Sequence, residues 1–190
     1  MQLVLGSSSP YRRKQLQSLG YEFEISKPGI DETPDAGETA PALVTRLAHE
    51  KALAVAALYP RAAVIGADQV ALCGSQILGK PGTPERAIAQ LLELSGSSVT
   101  FLSAVCVIAP GHSLAHTEPT DIDFRDLTRA EIERYVTLDE PLDCAGAIRS
   151  ESRGPHLFER VQSSDPTALL GLPLIRLAAM LRTVGLNPLT

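Results

Sequence analysis

The apolar triplet Leu3-Val4-Leu5 runs straight into Gly6-Ser7-Ser8-Ser9-Pro10-Tyr11-Arg12-Arg13, and this junction constrains the fold more than any other feature of the chain. Three apolar residues in a row read as a short strand, Ser9 can cap a helix with Pro10 at its first position, and Gly20 stands just beyond that helix's end. A chain that opens strand, turn, helix needs a sheet with helices against it. The same junction suits an anion. Small residues let backbone N–H groups approach, the hydroxyls of Ser7 and Ser9 can donate, the helix N-terminus carries partial positive charge, and Arg12 and Arg13 add bidentate donors. Taken alone, a plain capped turn with solvated arginines fits the run equally well.

The rest of the chain extends the pattern. Tyr21 to Ser26 reads as a second strand, and Lys27 to Glu38 as a polar loop too long for a simple connector. The spacing of Leu43, Leu47 and Ala54 predicts a helix from Thr39 to about Tyr59, with Arg46 and Lys51 near its apolar stripe. Ala62 to Ala67 reads as a buried strand delivering Asp68 and Gln69 at its end, followed by a hairpin of Val70 to Cys73 with Gln76 to Leu78. A helix opens at Thr83-Pro84-Glu85 and ends near Gly96, Val99 to Ala109 faces Leu114 to Phe124 across Pro110-Gly111, and Thr128 to Glu131 is a capping box for a helix reaching about Thr137. Leu157 to Val161 is strand-like, and Leu174 to Val184 is a closing helix stopped by Gly185. The sum is an α/β chain with a mixed sheet. At 190 residues and 44% hydrophobic content it fits one domain spanning 1–190.

Charge narrows the partners. The 17 Lys and Arg against 22 Asp and Glu give −5, so the surface should repel nucleic acid and anionic membranes, and a phosphate site must be a local cluster of cations. The apolar runs fall short of a membrane helix and the N-terminus lacks a signal-peptide layout, so the expected location is the cytoplasm. Cys73, Cys106 and Cys144 are odd in number and widely spaced, which favours small buried thiols over a disulfide or zinc site. His112 and His116, beside Pro110-Gly111, mark a solvated hairpin.

Four residues stand out for chemistry. A carboxylate at the exit of an apolar strand, Asp68, is poorly explained by packing and well placed to bind a metal or orient water, although it could equally cap the next turn. Glu32 could supply a second carboxylate, so that one divalent ion bridges protein and phosphate oxygens, or could be an ordinary loop acid. Lys51 and Lys80 suit neutralisation of charge on a leaving pyrophosphate, although each alone reads as a solvated lysine. Together with Arg12 they make a polar ring for a polyphosphate–metal complex.

The runs Gly6 to Arg13, Asp31-Glu32-Thr33, Arg46-Leu47-Ala48-His49-Glu50-Lys51-Ala52, Gly66-Ala67-Asp68-Gln69-Val70, Gly79-Lys80-Pro81 and Cys144-Ala145-Gly146 resemble the successive motifs of the Maf nucleotide pyrophosphatases, in the family's order and over nearly the whole chain. The resemblance implies a Maf/inosine-triphosphatase-like fold with a cleft between two lobes. It also implies a divalent cation (Mg²⁺ or Mn²⁺) held by Asp68 and Glu32, and cleavage of a nucleoside triphosphate to its monophosphate and pyrophosphate. Asp68 would be the catalytic acceptor, with Glu32, Lys51, Lys80, Ser7, Ser9 and Arg12 around the phosphates.

Tyr11, Gln69 and Glu151 stand where the family's dTTP/UTP branch has arginine, threonine and glutamine, and the pattern resembles the 7-methyl-GTP pyrophosphatase branch. Physics agrees. N7-methylated guanine is cationic, so the Tyr11 face can attract it by roughly 0.5–2 kcal/mol, and Glu151 can accept from guanine N–H groups while balancing the charge. Against this, Tyr11 could staple the helix start and Glu151 could pair with Arg149 or Arg153. Gly6 stands where the family often has alanine, which should only loosen the turn. Ser152 stands where Ser-Glu-Gly-x-Gly has its first glycine, which should strain the loop if a positive φ is required there. The expected function is therefore hydrolysis of 7-methyl-GTP. The alternatives are a dTTP/UTP or other modified-nucleotide pyrophosphatase, and a non-catalytic nucleotide-binding regulator of cell division. The expected partner is a small-molecule nucleotide, with neither nucleic acid nor membrane, and the candidate assembly is a homodimer.

Overall fold

The computed structural model describes residues 1–190. Its elements follow in the order β1 (Leu3–Gly6), α1 (Pro10–Ser18), β2 (Glu24–Ile25), α2 (Ala40–Ala56), β3 (Ala63–Cys73), β4 (Gln76–Leu78), α3 (Pro84–Leu94), β5 (Ser98–Ala109), β6 (His112–Phe124), α4 (Arg129–Asp139), β7 (Phe158–Ser163) and α5 (Leu174–Thr183). The strands form one seven-stranded mixed sheet in the order β2-β1-β3-β5-β6-β7, with β4 on β3. β1 is parallel to both β2 and β3, whereas β4 on β3 and β7 on β6 are antiparallel. This bears out the mixed α/β architecture. No helix is long and apolar enough to cross a membrane.

The helix boundaries follow their caps. Ser9 and Thr83 each accept a hydrogen bond from the third residue beyond them, with proline starting the helix. Thr128 and Glu131 close the reciprocal capping box of α4. The second strand is shorter than the apolar content of Tyr21 to Ser26 implies, because only Glu24 and Ile25 stand in register with β1, and beyond them a single bond from the Ser26 amide to the Leu5 carbonyl at 3.0 Å ends the pairing. The larger correction concerns β3. It runs unbroken for 11 residues from Ala63 to Cys73, so Asp68 lies inside the strand and not at its exit.

By internal contacts the chain divides into two compact units, one made of 1–69, 103–118 and 165–190, the other of 70–102 and 119–164. In the first, strand alternation decides the layers. Leu3, Leu5, Ile65 and Ala67 pack in one cluster with Leu16 of α1 and Leu177 and Leu181 of α5, while Val4 and Val64 pack with Val55 of α2. The central strands are thus covered on both faces, as parallel strands require. In the second, α3 packs along α4 and Phe124 meets Phe158 edge to face at 5.6 Å.

Gly66 sets how closely α2 approaches β3. A Cβ there would overlap the Ala48 carbonyl oxygen and the Ala52 amide nitrogen, and would lie 2.8 Å from the Ala52 Cβ. Gly6, its partner in the β1–β3 register, ends the strand under the same helix, and an added Cβ would sit 3.1 Å from the Ile65 carbonyl and 3.3 Å from that of Lys51. Glycine at position 6 therefore answers to helix–sheet packing and not to turn flexibility.

Candidate active site

The alternation that points Val64 toward α2 continues through Gly66 to Asp68, and this explains how a carboxylate can stand inside a buried strand. Asp68 is 7% exposed and Lys51 on α2 is 6% exposed. Lys51 Nζ donates to Asp68 Oδ1 at 2.7 Å and approaches Glu32 Oε2 at 2.8 Å, so one buried ammonium joins two carboxylates. A charge taken out of water needs such partners. Asp68 Oδ2 and Glu32 Oε1 remain without a protein partner.

The first turn supplies the cationic side. Ser7 Oγ accepts from the Ser9 amide at 3.2 Å and Ser9 Oγ from the Arg12 amide at 3.4 Å, which leaves both hydroxyl protons for another acceptor. Arg12 donates through Nη1 to the Ala67 carbonyl at 2.9 Å and through Nε to the Gly171 carbonyl at 3.2 Å. Its Nη2 has no hydrogen bond to the protein. Burial pulls the Arg12 pKa below the ordinary arginine value, against the upward pull of the Asp68 and Glu32 charges. An arginine oriented by two backbone carbonyls, with one arm unspent, is suited to meet an anion.

Glu32 itself is exposed, in a loop with no regular structure, so its position depends on what ties the loop down. Arg46 does this. Nε and Nη2 form a fork on Glu38 at 2.8 and 2.7 Å, Nη2 also reaches the Thr33 carbonyl at 3.2 Å, and Nη1 reaches Glu50 at 3.1 Å. Asp31 Oδ1 meanwhile accepts from the amide and hydroxyl of Thr33. Sequence reasoning saw Arg46 only as a charge beside an apolar stripe. The signal for its role was the run of acids in the preceding loop, Asp35 and Glu38 among them.

This fork holds the Glu38 carboxyl down at about 2, chiefly through its hydrogen bonds from Arg46. A depressed carboxylate pKa gives stability that is present above the unfolded value, about 4.3, and is lost as pH falls through 2. Arg46→Ala should therefore return the Glu38 titration to the ordinary glutamate range. The stability difference between parent and variant should be full above pH 5 and shrink toward pH 2. Carboxyl NMR titration and denaturant melts at both ends of that range check this, and a Glu38 midpoint near 4 in the parent protein would refute it.

The remaining candidates are placed differently. Gln69 spends its amide N–H groups on Ser103 Oγ at 2.8 Å and on the Ala168 and Leu169 carbonyls at 3.2 and 3.1 Å, latching the 168–170 turn. Tyr11 is half-buried in the first turn of α1. Lys80 and Glu151 belong to the second unit. Lys80 is exposed and makes no ion pair, while Glu151 lies 3.5 Å from Arg149 Nε. Ser152 is unstrained, because the only non-glycine residues with positive φ are Glu140 and Ala147. Its hydroxyl donates instead to Asp139 at 3.2 Å.

Sequence reasoning missed the buried pair Gln15 and Asp165. Gln15 Nε2 donates to the Thr167 and Leu172 carbonyls, and Asp165 accepts from the amides of Thr167 and Ile175, which caps α5. The Asp-Pro-Thr sequence ahead of the closing helix was the available hint. Of the cysteines, Cys106 is buried, and its thiol is pushed up to about 11 by that burial.

Fold and site together define a mixed α/β protein with carboxylates and cations gathered at its first strand-to-helix turn. The Ham1 protein of Staphylococcus aureus shares this fold, with a TM-score of 0.55 over 97% of this chain and 100% of that one at 14% identity. The chain belongs to the Maf-like protein family, which it matches over residues 2–184. It is 50% identical, over 97% of both chains, to a 7-methyl-GTP pyrophosphatase of Xanthomonas oryzae pv. oryzae. It is also 50% identical to one of Cupriavidus metallidurans, over 96% of this chain and 93% of that one. A third, of Polaromonas, is 49% identical over 96% of this chain and 84% of its own length.

Proposed function

We propose that this chain hydrolyses 7-methyl-GTP to 7-methyl-GMP and pyrophosphate. The observation that carries the reading is the Lys51 ammonium held between Asp68 and Glu32, in the same unit as the serine turn and the unspent Nη2 of Arg12. The near-full-length relatives bearing that activity in their names support the choice of reaction.

The residues fit a hard divalent cation. Asp68 and Glu32 each keep one carboxylate oxygen without a protein partner, and two carboxylates are the set through which Mg²⁺ is commonly bound alongside substrate phosphates. When bound, such an ion supplies neutralisation of phosphate charge. The chain's own groups do the rest. The hydroxyls of Ser7 and Ser9 and the Arg12 Nη2 donate to phosphate oxygens. Lys51, fixed by its two carboxylates, stabilises charge that grows as the bond between the α-phosphorus and its bridging oxygen breaks. Water attacks the α-phosphorus, its proton passes to Asp68 Oδ2, and pyrophosphate leaves. Lys80 is assigned to the leaving pyrophosphate. Tyr11 stacks on the cationic base and Glu151 accepts from its N–H groups.

A panel of 7-methyl-GTP, GTP, dTTP, UTP and CTP with Mg²⁺ or Mn²⁺, with products identified, tests this. We expect pyrophosphate and nucleoside monophosphate, with 7-methyl-GTP the preferred substrate. Tyr11→Arg should cost most on that substrate, roughly tenfold, for the lost cation–π attraction and the repulsion that replaces it. Release of orthophosphate would overturn the reaction, and preference for dTTP or UTP the base assignment. Tight binding without turnover would mark a non-catalytic nucleotide-binding regulator.

A further inference from the structure

Asp139 closes α4 with a carboxylate whose side chain is 0% exposed. The hydrogen bonds of its carboxylate all come from the segment around Glu151. Ser152 Oγ donates to Oδ1 at 3.2 Å, the Arg153 amide to Oδ2 at 2.9 Å, and Arg153 Nη1 to Oδ1 at 2.7 Å. On the other flank Arg149 Nη1 donates to the Asp139 carbonyl at 2.7 Å. Tyr135, one turn earlier on the same face of α4, accepts from the Arg149 amide at 2.9 Å and donates to the Ala147 carbonyl at 3.3 Å. The segment also closes on itself, since the amides of Ser152 and Gly154 both donate to the Arg149 carbonyl, and a Cβ on Gly154 would lie 2.6 Å from that oxygen. Glu151 stands exposed between two clamped flanks.

Burying a carboxylate is costly unless it is fully bonded. Here burial pushes the Asp139 pKa up, but the bonds from Arg153 and Ser152 outweigh it and hold the group below its ordinary range. A group that served α4 alone could be a neutral helix-end residue. This one directs its charge at residues 152 and 153. Ser152, where the related Ser-Glu-Gly-x-Gly pattern has glycine, adds a bond that glycine lacks.

We propose that Asp139 is a positioning residue for base recognition. Through Ser152 and Arg153 it fixes the backbone that carries Glu151, and so sets the preference for a cationic guanine over an uncharged one. This rests on the assignment of Glu151 as the carboxylate that receives the base.

The test compares kcat and KM for 7-methyl-GTP and GTP in the full-length protein and in Glu151→Gln, Asp139→Asn, Ser152→Ala and Ser152→Thr, with Tm for each. Glu151→Gln should collapse the preference. Asp139→Asn should lower it about tenfold, the weight of one well-placed charge-assisted bond, through KM for 7-methyl-GTP with kcat on GTP retained. Ser152→Ala should lower it roughly threefold and Ser152→Thr should restore it. If Glu151→Gln collapses the preference while Asp139→Asn and Ser152→Ala keep it, Asp139 only stabilises the fold and the proposal fails alone. If Glu151→Gln changes nothing, the Glu151 assignment fails and the proposal with it. Should Asp139→Asn not fold, the Ser152 pair decides: an unchanged preference in Ser152→Ala overturns the positioning role.

Discussion

Asp68→Asn is expected to cut pyrophosphate release about a thousandfold, the middle of the range for a positioned acid–base group, roughly 10²–10⁴. Asparagine keeps an oxygen for the Lys51 ammonium, 2.7 Å away in the parent protein, so the buried lysine is not stranded. What changes is the second carboxylate oxygen, which has no protein partner. As an amide nitrogen it neither takes a proton nor binds a hard cation. Nucleotide binding through the first turn should survive, because Ser7, Ser9 and Arg12 are untouched. Steady-state kinetics with product analysis, a nucleotide-binding titration and a thermal melt separate the contributions. A variant within tenfold of the parent and equally stable would remove Asp68 from the reaction.

Gly66→Ala should be the most damaging single methyl group in the first unit. The added Cβ would overlap backbone atoms of Ala48 and Ala52, which cannot rotate away as a side-chain tip could. Overpacking of this kind costs about 1–3 kcal/mol or more, and at about 2–4 °C per kcal/mol for a chain of this size Tm should fall by roughly 2–12 °C. Activity should fall further than stability explains. Relief of the clash requires α2 to move off β3, and α2 carries Lys51 while β3 carries Asp68. A melt unchanged from the parent would show that the helix accommodates the methyl group without shifting.

Local chemistry was readable wherever it is decided within a few residues. Ser9-Pro10, Thr83-Pro84 and the box from Thr128 to Glu131 begin helices in the structure as their residue types require, since a cap is satisfied by the amides just beyond it. The turn at Pro110-Gly111 joins β5 to β6 for the same reason. Element ends that depend on a partner strand were less legible. Tyr21 to Ser26 has strand-like residues, but β2 keeps only the two that pair with β1, and β3 runs on through Asp68 because its neighbours hold it on both sides of that residue.

The candidate site divides the same way. The residue types alone named Asp68, Glu32, Lys51 and Arg12 as a set, and in the structure Lys51 bonds both carboxylates while Arg12 feels their charge. Gln69 stood in the sequence only as one of the three branch-marking positions, and in the structure its amide N–H groups are spent on Ser103 and the 168–170 turn. The loop-tying role of Arg46, and Gln15, Asp165 and Asp139 altogether, escaped notice because each acts on residues brought near only by the fold, or on a loop whose path the sequence does not specify.

By itself, then, the sequence determined which chemistry is available: hard carboxylate oxygens, two lysines, an arginine behind a serine turn, and a tyrosine suited to a cationic base. Side-chain type is local, and the motifs in their order mark the family. Only the tertiary structure decided that Lys51 is buried between its two carboxylates, that Arg12 keeps one arm unspent, and that Ser152 is unstrained and bonded to Asp139. Those outcomes depend on Gly66 admitting α2 against the sheet and on α4 presenting Asp139 to the loop that folds back after it. Such close approaches are set by packing across the chain and by the cost of burying a charge without partners.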